Sequence, residues 1–177
     1  MNPLKSVFSI YKRARVVRFL AQILLLTVVY FSVRAWQGRH DIQGLAPIIQ
    51  GVQLNGEVFN LEKYRGAPVL VHFWATWCAV CRFESKNIAA LAEDYPVITV
   101  ATWVEDEKAV EAYLQQAGLD MPVIVDTDQR WARKYAIKAV PYSFIIDSNG
   151  YIRYIEKGYS TEAGLRLRMW WAGMNPG

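Results

Sequence analysis

The sequence predicts an α/β fold, because short apolar runs alternate with amphipathic segments over most of the chain. Residues 69–75 are almost continuously apolar, as expected of a strand buried on both faces. Residues 78–94 repeat their apolar side chains at helical spacing. Further on, Asn149-Gly150 separates two apolar runs and is a strong hairpin-turn signal. The pattern predicts a mixed central sheet flanked by helices, with an antiparallel edge.

The remaining elements continue the alternation. They are predicted strands at residues 97–104, 123–125, 142–146 and 151–156, and predicted helices at residues 106–117, 128–135 and 161–171. Gly118 stands just past the second of the helical patterns, where glycine commonly ends a helix. In the last helix, the spacing of Trp170 and Trp171 with Leu167 leads us to expect aromatic packing on the sheet.

The N-terminal segment differs from the rest in charge. Six of the 20 basic residues lie in residues 1–36, which contain no acidic residue, so residues 37–177 hold 14 basic and 16 acidic residues. The net charge of +4 therefore belongs to this segment, and no nucleic-acid partner is predicted. Residues 19–33 are uncharged and rise about 22 Å as a helix, so flanking apolar residues are needed to cross a hydrocarbon core of ~30 Å.

These features divide the chain into four parts. We predict a basic cytoplasmic tail at residues 1–15, a transmembrane signal-anchor helix at residues 16–36, a linker at residues 37–50 and a folded domain at residues 51–177. A cleaved signal peptide is the alternative for the apolar segment, since its length also suits one. Five basic residues precede the uncharged run, so the positive-inside rule keeps the N-terminus in the cytoplasm and exports the domain.

The two cysteines of the chain, Cys78 and Cys81, lie three positions apart. A disulfide-stapled scaffold needs more cysteines at wider spacing, so this pair is interpreted as a reactive or metal-binding site. A strand that ends at Ala75 and a helix that begins at Cys78 place the Cys78 sulfur at the positive end of the helix dipole, which favours the thiolate. Cys78 is predicted to form the mixed disulfide with a partner, and Cys81 to resolve it.

Metal binding is the main alternative for this pair. A structural zinc site needs four ligands, and the chain has no second cysteine pair and only two histidines, His40 and His72. Copper(I) can be held by two thiolates, so a copper(I)- or haem-handling chaperone in metalloprotein assembly stays open. Redox chemistry is favoured, and no metal or cofactor is predicted.

Residues 72–84, HFWATWCAVCRFE, resemble the active-site segment of the thioredoxin superfamily. The run from Trp74 to Cys78, with Arg82 and Glu84 after the second cysteine, is most similar to the TlpA-like, membrane-anchored branch. Ala139-Val140-Pro141, before a predicted strand, matches the second specific motif. Together with the N-terminal anchor, the chain is similar to the suppressor of copper sensitivity protein D group.

The resemblance implies a thioredoxin-like fold and a cis bond between Val140 and Pro141. In such proteins the residue at Val140 pairs its backbone with an extended substrate strand, and the proline keeps metals off the thiols. The resemblance also implies a disulfide reductase of exported proteins, located in the periplasm on a single-pass inner-membrane anchor. A membrane electron-transfer partner would reduce it, and its role would be linked to copper tolerance.

Five further positions bear on this resemblance. His72 stands where thioredoxin has a buried acid, and it is either a proton-transfer group or a hydrogen-bonded core histidine. Glu84 is either the proton acceptor for Cys81 or a first-turn acid favoured by the helix dipole. Trp77 is expected to shield Cys78 and to line the partner surface. Ala79-Val80 replaces the Gly-Pro of thioredoxin, so a disulfide oxidase or isomerase remains an alternative.

Overall fold

The computed structural model describes residues 17–32 and 42–174, which belong to two separate units divided after Asp41. In the first unit, residues 17–32 form a helix, α1, with exposed side chains throughout. No helix within the described ranges has both the length and the apolar character that crossing a membrane requires. The predicted tail at residues 1–15, both ends of the predicted span and residues 37–41 of the predicted linker lie outside the described residues.

The second unit is built around a five-stranded mixed sheet with the order β5-β4-β3-β6-β7. The strands are β3 (Val69–Trp74), β4 (Val97–Thr102), β5 (Val123–Asp126), β6 (Tyr142–Ile146) and β7 (Ile152–Lys157). Strands β3, β4 and β5 run parallel, whereas β6 is antiparallel to both β3 and β7. Parallel neighbours need a crossover, and the helices between them supply it.

The helices and a small second sheet complete the unit. Its helices are α2 (Ala79–Ala92), α3 (Glu107–Ala117), α4 (Arg130–Lys134) and α5 (Glu162–Met174). Before the main sheet, β1 (Gln50–Val52) and β2 (Val58–Asn60) form an antiparallel pair, followed by a 3₁₀ helix at Leu61–Tyr64. The predicted thioredoxin-like α/β fold with a mixed sheet flanked by helices is therefore confirmed.

Successive side chains of β3 point to opposite faces of the sheet, so this strand contributes to two apolar clusters. Val71 and Phe73 belong to the apolar cluster on one face of the sheet, and Leu70 and Trp74 belong to the cluster on the other. Every residue of β3 and β4 is buried, as the continuous apolar runs predict. The two cysteines belong to the same cluster as Leu70 and Trp74, so the dithiol is set into the core at the end of β3.

The hairpin between β6 and β7 turns at Asn149-Gly150, as predicted. Gly150 has a φ of +83°, a conformation that favours glycine. A Cβ at this position would overlap the guanidinium group of Arg65, which lies over the turn. The left-handed backbone conformation therefore accounts for glycine at this turn, since the flexible end of Arg65 can move away from a Cβ.

The expected packing of the last helix is wrong in one respect. Leu165, Met169 and Ala172 are the residues of α5 that are buried, whereas Trp170 and Trp171 are each 49% exposed. The two indole rings meet edge to face with centroids 6.1 Å apart. Three smaller buried side chains already fill the contact with the sheet, so the tryptophans lie on the outer side of α5.

Candidate active site

The dithiol lies where the buried strand β3 turns into helix α2. Cys78 is the N-cap residue of α2, with extended backbone angles, and its Sγ accepts a hydrogen bond from the backbone N–H of Cys81 at 3.2 Å. Cys78 and Cys81 form a disulfide with their Cα atoms 5.3 Å apart. The predicted placement of the cysteine pair at the helix N-terminus is confirmed.

This geometry gives the two sulfurs different chemical roles. A thiolate at Cys78 would be stabilised by the free N–H groups and the positive dipole end of α2. Cys78 is 6% exposed and Cys81 only 1%, so an incoming disulfide reaches Cys78 first. The arrangement can perform dithiol–disulfide exchange, in which Cys78 attacks and Cys81 resolves.

A second loop faces the dithiol from the start of β6. The peptide bond between Val140 and Pro141 is cis, as the family resemblance implied. The carbonyl oxygen of Val140 lies 3.6 Å from Cys78 Sγ. In the reduced protein, the Cys78 thiol could donate to this carbonyl. Val140 also packs against both apolar clusters of the unit, which fixes the loop beside the sulfur.

Glu84 is a buried carboxyl on α2, one turn after Cys81. Its Oε1 accepts a hydrogen bond from the backbone N–H of Ser160 at 3.0 Å, and its Oε2 has no hydrogen-bond partner within residues 17–32 and 42–174. Burial raises the pKa of Glu84 from 4.5 to about 7, although the bond from Ser160 acts in the opposite direction. Cys81 and Glu84 are both buried and lie three residues apart, so they share a face of the helix.

His72 lies in the middle of β3, fully enclosed. Its Nδ1 is 2.8 Å from the hydroxyl oxygen of Ser143, the residue opposite it on β6. Burial lowers the pKa of His72 to about 3, so the imidazole is neutral near pH 7. Of the two interpretations of this histidine, the hydrogen-bonded core residue fits the geometry. His40 lies outside the described residues.

The two tryptophans of the motif occupy opposite environments. Trp74 is buried, donates its indole N–H to Thr99 Oγ1 at 3.1 Å, and contacts the ring of Tyr113. Trp77 is 60% exposed and donates its indole N–H to the carbonyl of Trp103 at 2.9 Å. Along with Trp77, Val80 and Phe83 are exposed, so the dithiol is bordered by apolar side chains that face solvent.

Three partners of the site residues were not identified from the sequence. Ser160 binds Glu84 and Trp103 binds Trp77 across separations of 76 and 26 residues, which no local pattern indicates. Ser85 donates its hydroxyl to the carbonyl of Cys81 at 2.7 Å and lies 3.0 Å from the hydroxyl of Tyr113. Its spacing of four residues from Cys81 on a predicted helix is a signal that could have found it.

The site offers few ligands for a metal. In the described part of the chain, no group of three or more His, Cys, Asp or Glu side chains is arranged to hold a metal ion. His72 points its Nδ1 at Ser143 inside the sheet. The ligands available at this end of β3 are the two sulfurs themselves.

The comparison with known families matches this region of the chain. A family model described as the AhpC/TSA family covers residues 42–155, which include the dithiol, Glu84 and the cis proline. The chain belongs to the AhpC/TSA family. A thioredoxin-like protein of Haemophilus influenzae is 31% identical over 121 residues, which cover 67% of this chain and 72% of the relative.

Relatives named as thiol–disulfide proteins support the same assignment. The thiol-disulfide oxidoreductase ResA of Geobacillus kaustophilus is 30% identical over 131 residues, covering 70% of this chain and 74% of ResA. A crystal structure of a thiol:disulfide interchange protein of the thioredoxin family from Chlorobium tepidum is 26% identical. It superimposes with a TM-score of 0.63 and covers 75% of this chain and 97% of that chain. This AhpC/TSA member is therefore a thiol–disulfide oxidoreductase with a thioredoxin-like fold.

Proposed function

We propose that the protein is a membrane-tethered disulfide reductase that acts on exported proteins in the periplasm through Cys78 and Cys81. The observation that carries this proposal is the asymmetric placement of the pair at the N-terminus of α2. The more accessible Cys78 accepts the N–H of Cys81 and faces Val140, whereas Cys81 is enclosed beside Glu84. Such a pair is suited to receive an external disulfide at one sulfur and to complete the exchange with the other.

The reaction proceeds in two exchanges that conserve electrons. The Cys78 thiolate attacks one sulfur of a substrate disulfide, and the other substrate sulfur leaves as a thiolate. Cys81 then loses its proton and attacks Cys78 Sγ, which releases the second substrate sulfur and closes the internal disulfide. Two electrons pass from the protein to the substrate. A dithiol of a membrane electron-transfer partner restores the reduced form by the same chemistry in reverse.

Glu84 is proposed to take the proton that Cys81 loses. Its pKa of about 7 lies close to the working pH, which is the condition under which a general base is most effective. Oε1 is held by Ser160, and Oε2 lacks a partner among the described residues, so one oxygen positions the carboxyl and the other is available for the proton.

Glu84 also favours reduction over oxidation as the direction of the reaction. A strongly oxidising dithiol depends on a strongly stabilised thiolate, since that state makes the reduced form stable. Glu84 is a buried carboxyl on the same helix face as Cys81. Its negative charge destabilises a thiolate at this end of α2. The reduced form is accordingly less favoured, and the pair gives its electrons away more readily.

The substrates are proposed to be polypeptides. Trp77, Val80 and Phe83 leave apolar surface exposed around a sulfur that is itself only 6% exposed. Exposed apolar surface of this kind is typical of an interaction site. The backbone of Val140 is proposed to pair with an extended segment of the substrate, as the family resemblance implies.

The direction of exchange is tested with two protein probes. We expect the reduced protein to reduce the disulfides of insulin at least about tenfold faster than the Cys78→Ser variant does under the same supply of dithiothreitol. The oxidised protein is expected to oxidise reduced ribonuclease A no faster than that variant. A protein that oxidises ribonuclease A rapidly and leaves insulin intact would be an oxidase, and one that instead rearranges scrambled ribonuclease A would be an isomerase.

The tether is proposed to comprise the cytoplasmic tail at residues 1–15, the spanning helix at residues 16–36 and the linker at residues 37–50.

In a background with both active-site cysteines replaced by serine, we compare Ser6→Cys with Asn55→Cys in intact cells. A thiol reagent that cannot cross the inner membrane is expected to label only Asn55→Cys. Labelling of Ser6→Cys before lysis would contradict this topology, and a mature protein that lacks residues 1–36 would indicate a cleaved signal peptide.

A further inference from the structure

Trp103, immediately after β4, has an uncommon backbone conformation. Its φ is +52°, in the left-handed region that a bulky side chain rarely adopts. Such conformations persist when the surrounding structure holds them in place, and they are concentrated at functional sites. Thr102 before it is fully buried, and the partly buried ring of Trp103 packs against the apolar cluster on the face of the sheet opposite the dithiol. The ring therefore anchors a strained residue at the end of a central strand.

The carbonyl of this residue is the group that holds Trp77. The indole N–H of Trp77 donates to the Trp103 carbonyl oxygen at 2.9 Å, and the ring is 60% exposed. A large aromatic ring in this position gains stability by turning onto neighbouring apolar surface, which removes it from water. The carbonyl that accepts this bond thus belongs to a residue held in the left-handed region. The hydrogen bond then keeps the ring outward, beside the residue that precedes the attacking cysteine.

We propose that Trp103 is a positioning residue, which acts through Trp77 to present an aromatic contact to the polypeptide that flanks the substrate disulfide. The proposal rests on the proposed function, since it requires a polypeptide substrate at Cys78. It assigns the strained backbone of Trp103 to recognition, because the ring of Trp103 lies on the other face of the sheet from the sulfurs. Loss of the hydrogen bond should weaken substrate binding and leave the chemical step intact.

A matched pair of variants separates the backbone of Trp103 from its ring. Trp103→Asn and Trp103→Val both remove the indole, but asparagine tolerates the left-handed region and a β-branched valine does not. Trp77→Phe keeps an aromatic ring and removes the N–H donor. Trp171→Phe is the control, because Trp171 is a half-exposed tryptophan on α5 whose ring contacts Trp170.

The test follows reduction of a peptide pair joined by one disulfide, with a fluorophore and a quencher on either side and leucine and tyrosine beside the cysteines. We expect Trp103→Val and Trp77→Phe to raise the half-saturating peptide concentration about fivefold, the effect of one neutral hydrogen bond. The maximal rate should stay within about twofold. Trp103→Asn should stay closer to the wild type than Trp103→Val, because asparagine tolerates the left-handed region although it lacks the anchoring ring. Trp171→Phe should match the wild type, and the Trp77→Phe/Trp103→Val double variant should be no worse than either single variant.

Several outcomes would overturn the inference. One is an equal half-saturating peptide concentration in Trp103→Asn and Trp103→Val. Another is a double variant in which the increases of the two single variants multiply. A third is a fall in maximal rate without a change in the half-saturating concentration. Trp77→Phe alters a surface residue, so an unchanged half-saturating concentration in this variant overturns the inference even if Trp103→Val fails to fold. A wild-type protein that reduces the small disulfide 5,5′-dithiobis(2-nitrobenzoate) but not the peptide would instead contradict the proposed function.

Discussion

The Cys81→Ser variant is expected to accumulate as a mixed disulfide through Cys78, whereas Cys78→Ser should lose exchange by at least about 1,000-fold. The reason is the order in which the two sulfurs meet a substrate. Cys78 caps the helix and is 6% exposed, while Cys81 is 1% exposed and lies one turn deeper. Without Cys81, nothing in the pair attacks the mixed disulfide once it has formed. The measurement is intact-mass spectrometry of each reduced variant after incubation with an oxidised peptide.

The two serine variants serve as controls for each other. They change the same atom type on the same helix, so a general loss of folding would affect both. We expect the added mass of one peptide on Cys81→Ser and no added mass on Cys78→Ser. If Cys78→Ser accumulates the adduct and Cys81→Ser does not, the roles of the two sulfurs are reversed and the proposed order of attack is wrong.

Replacement of Glu84 by glutamine is expected to change how stability depends on pH. A carboxyl with a pKa of about 7 in the folded protein and 4.5 as its ordinary value binds its proton more tightly when folded. The folded state therefore loses stability as the pH rises from about 4.5 to about 7. Glutamine has no proton to lose and keeps a carbonyl for the N–H of Ser160. The unfolding free energy of Glu84→Gln minus that of the wild type should therefore increase by about 3 kcal/mol from pH 4.5 to pH 8.

This comparison is made by urea unfolding of the oxidised proteins, in which the cysteines do not titrate. His72 acts in the opposite direction, because a pKa of about 3 in the folded protein means that stability falls as the pH drops below about 6.5. The effect of His72 is common to both proteins and cancels in the difference. Glu93→Gln, an exposed position at the end of the same helix, is the control. Equal pH profiles for Glu84→Gln and the wild type would show that the buried carboxyl does not carry the shift.

Much of the fold follows from the sequence because its signals are local. The continuous apolar run of β3 indicates burial on both faces, and Asn149-Gly150 marks the hairpin turn between β6 and β7. The position of Trp170 and Trp171 on α5 could not be predicted in the same way. Helical spacing shows which residues share a face, but it does not show which face meets the sheet, and Met169 and its buried neighbours occupy that contact.

The active site likewise has some features that local sequence signals predict and others that depend on tertiary contacts. The placement of Cys78 at a helix N-terminus depends on neighbours in sequence, and the motif around Pro141 identified the loop that faces it. The surroundings of Glu84 and Trp77 depend on Ser160 and Trp103, which only the folded chain brings near. The raised pKa of Glu84 likewise results from burial in the tertiary structure. For this reason the sequence left both interpretations of Glu84 open.

The reduction potential of the Cys78–Cys81 pair tests the central claim most directly. It is measured by equilibrating the protein with glutathione or dithiothreitol redox buffers and quantifying the reduced fraction by thiol alkylation and mass spectrometry. A disulfide reductase is expected to have a potential near that of thioredoxin, about −270 mV. A potential near −120 mV, the value of a strong disulfide oxidant, would contradict the proposal that this dithiol donates electrons to its substrates.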